Sequence, residues 1–362
     1  MMNINSFHLH KNKRVKPRRI YLALLLPLLI GMFSCNLTRN QRVQETAFIF
    51  YNVENLFDTI DTPDKNDQEF TPESEKAWNT ARYQKKINDL SRVIAAVNEE
   101  ALPAFIGLAE IENREVLEAL AESDFLKDGK FRIAHKESPD RRGIDVALLY
   151  NPDVFTYLYH HAFEVTKDYD RRFKTRDILY VKGLIDKKDT LHIFINHWPS
   201  RYGGQEKSEP NRLLAASVLR IRTDSILKKN PEADILIAGD FNDEPHNKSI
   251  SEILEASNDC ATVSSSGLYS LFLSLDKQGV GTYNYRGEWN MIDNIIVSAG
   301  MLQPEKGELY VHCDSGKILR KDWMMYDNTK IGEKVPNRTY GGNNYFGGIS
   351  DHLPVYVVLK RK

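Results

Sequence analysis

Cysteine is scarce here: the 362 residues hold three. Cys35 closes an N-terminal leader-like stretch, so only Cys260 and Cys313 remain for the rest of the chain. Two thiols allow one disulfide at most and exclude a cysteine-rich zinc framework. Their spacing does not say whether they pair. A basic surplus is also missing, since 49 Lys and Arg face 50 Asp and Glu. Residues 1–34 contain six of those basic groups and no acid, so the remainder carries 43 basic against 50 acidic groups. Bulk charge of that sign excludes a protein that coats a polyanion. A phosphate-bearing partner must be met by a local basic site, with a metal offsetting the acids there. Long apolar runs are limited to Ile20–Phe33, shorter than the roughly 20 residues that span a bilayer comfortably. Internal repeats and low-complexity blocks are absent, and a 41% hydrophobic content supports one large domain or two small ones.

The N-terminus has the parts of an export signal. Asn3–Lys16 is polar and basic, Ile20–Phe33 is nearly all apolar, and Ser34 precedes Cys35, which gives an n-region, an h-region and a processing site. The Ser34-Cys35 pair resembles a bacterial lipoprotein signal, in which the cysteine becomes the lipidated first residue. Residues 1–34 are expected to be a signal peptide, 35–45 a tether and 46–362 the functional domain. The expected location is the cell envelope, anchored to a membrane through Cys35. Plain secretion and an uncleaved anchor are the alternatives.

Along the domain, short apolar runs repeatedly end in polar residues. Ala233–Ala238 reads as a buried strand that breaks at Gly239 into Asp240-Phe241-Asn242. If the strand continues, Asp240 and Asn242 point to one side while Phe241 packs on the other. An ordinary Asp/Asn-rich turn would look the same in isolation. The pattern recurs, however. Ala47–Tyr51 ends in Asn52-Val53-Glu54-Asn55, and Ala104–Ala109 ends in Glu110-Ile111-Glu112-Asn113, where spacing does not choose between the two acids and either could cap the next helix. Leu179–Ile185 and Leu191–Asn196 form a hairpin that ends in His197. Met291–Ser298 carries Asp293 in its middle, where an acid needs a partner or a metal. Ser350-Asp351-His352 precedes the last strand, Val355–Leu359. Helices are expected over Thr80–Glu99, Arg114–Ala121, Asn211–Lys229, with Leu214, Val218, Ile221 and Ile226 inward, and Ser249–Ala256. Thr59–Trp78 and Lys330–Gly348 read as loops. Thr282–Asn290, aromatic and polar, suits a hairpin or a surface that meets planar groups.

Asn52-Val53-Glu54-Asn55, Leu108-Ala109-Glu110, Asn196-His197, Gly239-Asp240-Phe241-Asn242, Ile292-Asp293 and Ser350-Asp351-His352 stand in order at strand ends. Together they resemble the endonuclease/exonuclease/phosphatase superfamily of pancreatic-deoxyribonuclease-like enzymes over about residues 46–360, and more narrowly its predicted extracellular nuclease branch. The resemblance implies an α/β (α+β) fold, a four-layer sandwich of two packed mixed β-sheets flanked by helices. It also implies hydrolysis of phosphodiester bonds with Mg²⁺, for which Mn²⁺ substitutes, most naturally by an endonuclease on DNA or RNA acting as a monomer. Carboxylates and amides suit such a cation, and no thiolate set or close His pair favours zinc.

Position by position, the resemblance makes Glu110 the principal metal ligand, with Asn52 and Asp351 on the metal side. Asp240 activates the attacking water and Asn242 fixes phosphate or nucleophile. His352, oriented by Asp293, contacts the scissile phosphate, and His197 is a second phosphate-facing histidine. Glu54 and Glu112 are left outside this set. Arg142, Arg176 and Arg201 are either phosphate-side cations or surface charge. The rival enzymatic reading is a phosphoesterase on a lipid or inositol phosphate, and the non-enzymatic one is a surface-binding lipoprotein with a decayed site.

Overall fold

The computed structural model describes residues 45–256, 260, 262–264, 266–304 and 308–362. The segment expected to be a signal peptide, Cys35 and most of the expected tether therefore lie outside the described residues. In chain order the main elements are β1 (Glu45–Leu56), α1 (Thr80–Ala95), β2 (Phe105–Ile111), α2 (Arg114–Ala121), β3 (Arg132–His135), β4 (Asp145–Tyr150), β5 (Phe155–Phe163), β6 (Ile178–Ile185) and β7 (Asp189–His197). Next come α3 (Gln205–Leu227), β8 (Asp234–Asp240), β9 (Leu268–Ser270), α4 (Leu273–Lys277), β10 (Tyr283–Tyr285), β11 (Glu288–Asn290) and β12 (Asp293–Ser298). The chain closes with β13 (Leu309–Tyr310), β14 (Lys317–Ile318), β15 (Met325–Asn328), β16 (Glu333–Pro336), β17 (Tyr340–Gly341), β18 (Asn344–Tyr345) and β19 (Val355–Arg361).

Two mixed sheets result. One is seven-stranded in the order β13-β19-β1-β2-β4-β3, with β14 also pairing β19. The other is six-stranded in the order β5-β6-β7-β8-β12-β9. Side chains alternate across a strand, and here both faces are apolar because each sheet is covered twice. On β1, Phe48 and Phe50 enter the core shared with Leu236, Ala238 and Ile295 of the second sheet. Ile49, Tyr51 and Val53 turn outward onto α1 and α2, meeting Ile87, Leu90, Val93 and Leu117. On β8, Ile235 and Ile237 face α3 in the same way. These are the four layers expected, helix, sheet, sheet and helix. Side-chain caps fix both helix starts: Asn79 Oδ1 accepts from Arg82 N–H, and Asn113 Oδ1 accepts from Val116 N–H.

Several boundaries differ from expectation. Helix α3 starts at Gln205, and its buried face is Ala215, Ala216, Leu219 and Leu227, while Ile221 is exposed. Of the residues expected inward, Leu214, Val218 and Ile226 are partly buried and pack against this core, and only Ile221 turns to solvent. The Ser249–Ala256 segment forms only a single wide turn, Ser249–Ile253. The Lys330–Gly348 loop is partly built of hairpins, β15 with β16 and β17 with β18. Cys260 and Cys313 form a disulfide, with Cα atoms 5.7 Å apart.

Candidate active site

Strand register creates the core of the site. In parallel β7–β8, His197 pairs with Asp240, and in antiparallel β8–β12, Asp240 pairs with Asp293. Three residues far apart in sequence thus form one row across the ends of three neighbouring strands. Gly239 permits this pairing, because a Cβ there would lie 2.6 Å from the Asn196 side chain. Asp293 opens β12 and does not lie in its middle, so the strand starts two residues later than the apolar run suggests. Its Oδ2 accepts from Thr282 Oγ1 at 2.6 Å and from His352 Nδ1 at 2.7 Å. His352 Nε2 then lies 3.9 Å from Asp240 Oδ2, and His197 Nε2 lies 3.6 Å from the same oxygen. Asn52 reaches across from the first sheet, and its Nδ2 donates to Asp240 Oδ2 at 2.9 Å.

The strand ends are bent by left-handed backbone. Glu54, Asn55, Glu110 and Asn242 have φ of 50°, 55°, 64° and 50°, a conformation that non-glycine residues hold only where the surroundings enforce it. At Glu110 this forms a bulge between Ala109 and Ile111, which separates the two candidate acids. Glu110 turns into the cavity, where Oε2 accepts from Asn55 N–H at 2.9 Å and Oε1 lies 3.9 Å from His197 Nε2. Glu112 turns away and holds the next loop, accepting from Asp58 N–H at 2.6 Å and Thr62 Oγ1 at 3.0 Å. Strand β8 stops at Asp240, so Asn242 does not share a strand face with it. Asp240 Oδ1 instead caps Asn242 N–H at 2.9 Å, and the Asn242 amide donates to Trp198 O at 3.0 Å.

These groups line one cavity of about 1220 Å³ that includes Glu54, Glu110, Arg142, Arg176, His197, Arg201, Asp240, Asn242, Arg338, Asp351 and His352. Asn52 and Asp293 lie behind this lining. Arg176 is buried as a brace, donating to Asp140 and to the carbonyls of His197 and Trp198. Arg201 donates to Asn242 O at 2.7 Å and Asn290 Oδ1 at 2.8 Å. Arg142 is the more solvated of the three, 3.8 Å from Asp140. Asp351 is paired with Arg338, whose Nε also lies 3.7 Å from Glu54 Oε1.

Protonation follows from burial. Burial raises Asp240 to about 7, against the pull of His352. Burial also opposes charge on His352, but Asp293, Asp240 and Asp351 outweigh it and hold the imidazole pKa well above its usual value. His197 goes the other way: burial, then Arg176 and Arg142, keep it neutral, and its Nδ1 has no hydrogen-bond partner. Glu54 is raised to about 7, first by burial and then by Asp351.

Glu54, Lys86 and Arg338 were not selected from the sequence. Lys86 Nζ donates to Glu54 O at 3.0 Å, Thr339 Oγ1 at 2.6 Å and Ile349 O, and so ties the end of β1 to the loop before Ser350. A lysine one turn from Leu90 on an apolar helix face was the available signal. Arg338 had none, because it lies in a long polar loop.

The cavity lining includes six carboxylates and four guanidiniums. Apart from the imidazoles of His197 and His352 its metal-capable donors are carboxylate and amide oxygens, and the acids exceed the guanidiniums beside them, so the residues present fit a hard divalent cation.

Solved structures of similar fold include the family protein from Bacteroides thetaiotaomicron, which is 15% identical, with 87% of this chain and 97% of that chain covered at a TM-score of 0.54. The human Nocturnin catalytic domain with bound sulfate is 17% identical, covering 89% of this chain and 96% of that one at 0.51. Truncated Caenorhabditis elegans TDP2 is 14% identical, covering 89% and 100% at 0.52. At such identities the likeness shows the fold, that of an endonuclease/exonuclease/phosphatase-type sandwich. No curated protein matches the chain. Residues 47–361 match the Endonuclease/Exonuclease/phosphatase family, and the chain belongs to it. Members of that family are typically metal-dependent phosphoesterases and nucleases.

Proposed function

We propose that this protein is an exported, Mg²⁺-dependent phosphodiesterase that cuts nucleic acid, with Asp240 as the base that activates water. The observation that carries the reading is the row His197, Asp240 and Asp293 with His352 closing on it, with His197, Asp240 and His352 at the floor of one cavity and Asp293 directly behind them. A phosphodiester reacts slowly with water, so catalysis needs an activated nucleophile and compensation of phosphoryl charge. Asp240, raised to about 7 by burial, is poised to take a proton near neutral pH. Asn52 and the Asn242 N–H hold its two oxygens in place. His352, kept cationic by Asp293, donates to a phosphoryl oxygen. Neutral His197 borders both Asp240 and Glu110 and orients the nucleophile or the phosphate. Glu110, with Asn52 and Asp351, would hold the divalent cation, which when bound supplies Lewis-acid compensation of the phosphoryl charge.

A substrate panel tests the reading: plasmid DNA, RNA, sphingomyelin and inositol phosphates, each with Mg²⁺ and with chelator. Cleavage of DNA or RNA with Mg²⁺ alone is the expected result. Turnover confined to sphingomyelin or an inositol phosphate would replace the nuclease reading with the lipid or inositol one, and no turnover at all would favour the decayed-site reading. Export and anchoring rest on Ser34-Cys35 and the segments before it. Cys35→Ser is expected to release or misprocess the protein, and unchanged membrane fractionation and signal cleavage would overturn that part.

A further inference from the structure

Two tyrosine rings stand in water at the mouth of the catalytic cavity. Tyr202 is 94% exposed and Tyr285 is 52% exposed, and both line the same cavity as Asp240 and His352. Single exposed aromatics are ordinary. Two on the rim of one site, each on a braced segment, call for a partner with a planar face. Trp289 on the same rim is tied down by its indole, with Nε1 donating to Glu333 Oε1 at 2.7 Å and the Arg320 guanidinium 5.1 Å from its ring. The Arg286 guanidinium likewise lies 5.1 Å from the Tyr285 ring, which stays half exposed beside it.

The braces lead to the catalytic groups. Tyr285 sits on the β10–β11 hairpin, whose turn has Arg286 and Gly287 at φ of 56° and 97° and Asn284 Oδ1 accepting from Gly287 N–H at 3.0 Å. The root of the hairpin is joined to the site: Tyr283 bridges His352 through the backbone, its ring lies 4.9 Å from the imidazole, and the neighbouring Thr282 hydroxyl binds Asp293. Tyr202 follows Arg201, which bonds both Asn242 beside the base and Asn290 on the hairpin. One guanidinium therefore staples the two tyrosine-bearing segments together.

The floor is recessed, with Asp240, His197 and His352 at 2%, 4% and 6% exposure. In a duplex the phosphates lie on the outside, but the bases are paired and stacked on one another, so no base face is free to meet a ring at the rim. A single strand can descend to such a floor and leave its bases splayed toward the rim. Stacking on an aromatic side chain accepts any base, because each has a π-face. Building on the nucleic-acid reading above, we propose that Tyr285 and Tyr202 form a stacking platform for unpaired bases flanking the scissile phosphate, making the enzyme selective for single-stranded over duplex nucleic acid.

Steady-state cleavage of three substrates by the purified protein with Mg²⁺ tests this: a short single strand, the same strand with base-free sugar units on both sides of the cleaved phosphate, and the matching duplex. The single strand is expected to have the highest kcat/KM. Tyr285→Ala and Tyr202→Ala should each raise KM for it by about tenfold, in the range of one lost base stack, with a much smaller change in kcat. Tyr285→Phe should restore KM, and the tyrosine effect should shrink on the base-free strand. Equal loss on base-containing and base-free strands, or a duplex cleaved as well as the single strand, overturns the platform while leaving the nuclease reading intact. A parent enzyme that cleaves none of the three overturns both.

Discussion

Between the sheets, Phe48, Phe50, Leu148, Ile195, Leu236 and Ile295 are fully buried on regular strands. A few residues further along some of those strands, Asn52, Glu54, Asp240 and Asp293 are nearly as buried but charged or polar, and the backbone at Glu54, Glu110 and Asn242 is left-handed. The first region gains free energy from burial, about 25 cal/mol per Å² of apolar surface. The second loses it, through desolvated carboxylates and residues held in sparsely populated conformations at roughly 1–3 kcal/mol each. The comparison teaches that the sandwich core supplies the rigidity with which an otherwise unfavourable cluster is held. It also separates two kinds of mutation, those that cost stability and those that cost chemistry.

The largest effect should come from removing the cation. Activity is expected to vanish in chelator and return with Mg²⁺ or Mn²⁺, and Glu110→Ala should nearly abolish it without lowering the urea midpoint. Full activity in chelator would sink the metal assignment. Next is Asp240→Asn, which keeps the shape but cannot take a proton. Turnover should fall by roughly the 10²–10⁴-fold of a positioned general base, with substrate binding little changed. His352→Ala should also lose turnover, and the double variant should lose less than the product of the two single losses if both act on one transition state. Near-parental turnover in Asp240→Asn would assign the base to another residue.

The core half of the comparison is tested by Leu236→Ala, four residues upstream on the same strand. It should cost about 2–5 kcal/mol of unfolding free energy, read from urea curves, while kcat per folded molecule stays near parental. A large fall in kcat there would show that core and edge are not separable.

The smallest effect sharpens the contrast between the two ends of β8. Asp234 at its start is raised to about 7, first by burial and then by Glu308 and Asp189. The folded state therefore holds its proton more tightly than the unfolded chain does. This stabilising contribution is fully present below about pH 4 and is lost as pH rises through about 7. Asp234→Asn should narrow the difference in urea midpoint between pH 5 and pH 8. An unchanged difference would assign the pH dependence to other groups.

Much of the fold was legible locally. The apolar runs at 47–51, 104–109, 191–196 and 233–238 became β1, β2, β7 and β8 because an unbroken apolar run of strand length, closed by polar or turn residues, is written into consecutive residues and suits a strand buried on both faces. Strands β3 and β5 were missed. On β5 the exposed Tyr157, Leu158 and Tyr159 belong to an edge strand whose outward face carries no clean alternation.

The sequence by itself determined which residue types crown the strands, and hence the chemistry of oxygen donors and histidines. Tertiary structure alone decided that Glu110 enters the cavity and Glu112 does not, because a bulge set by pairing with β4 turns one and not the other. It also decided that Cys260 and Cys313 pair, and that Lys86 and Arg338 belong to the site. Glu54 takes its hydrogen bond from Thr339, 285 residues away, and the Asn52 carbonyl accepts from Ser350 across 298. The opposite charge states of His197 and His352 have the same origin. Each depends on which buried charges the fold places beside an imidazole, and no stretch of local sequence contains that information.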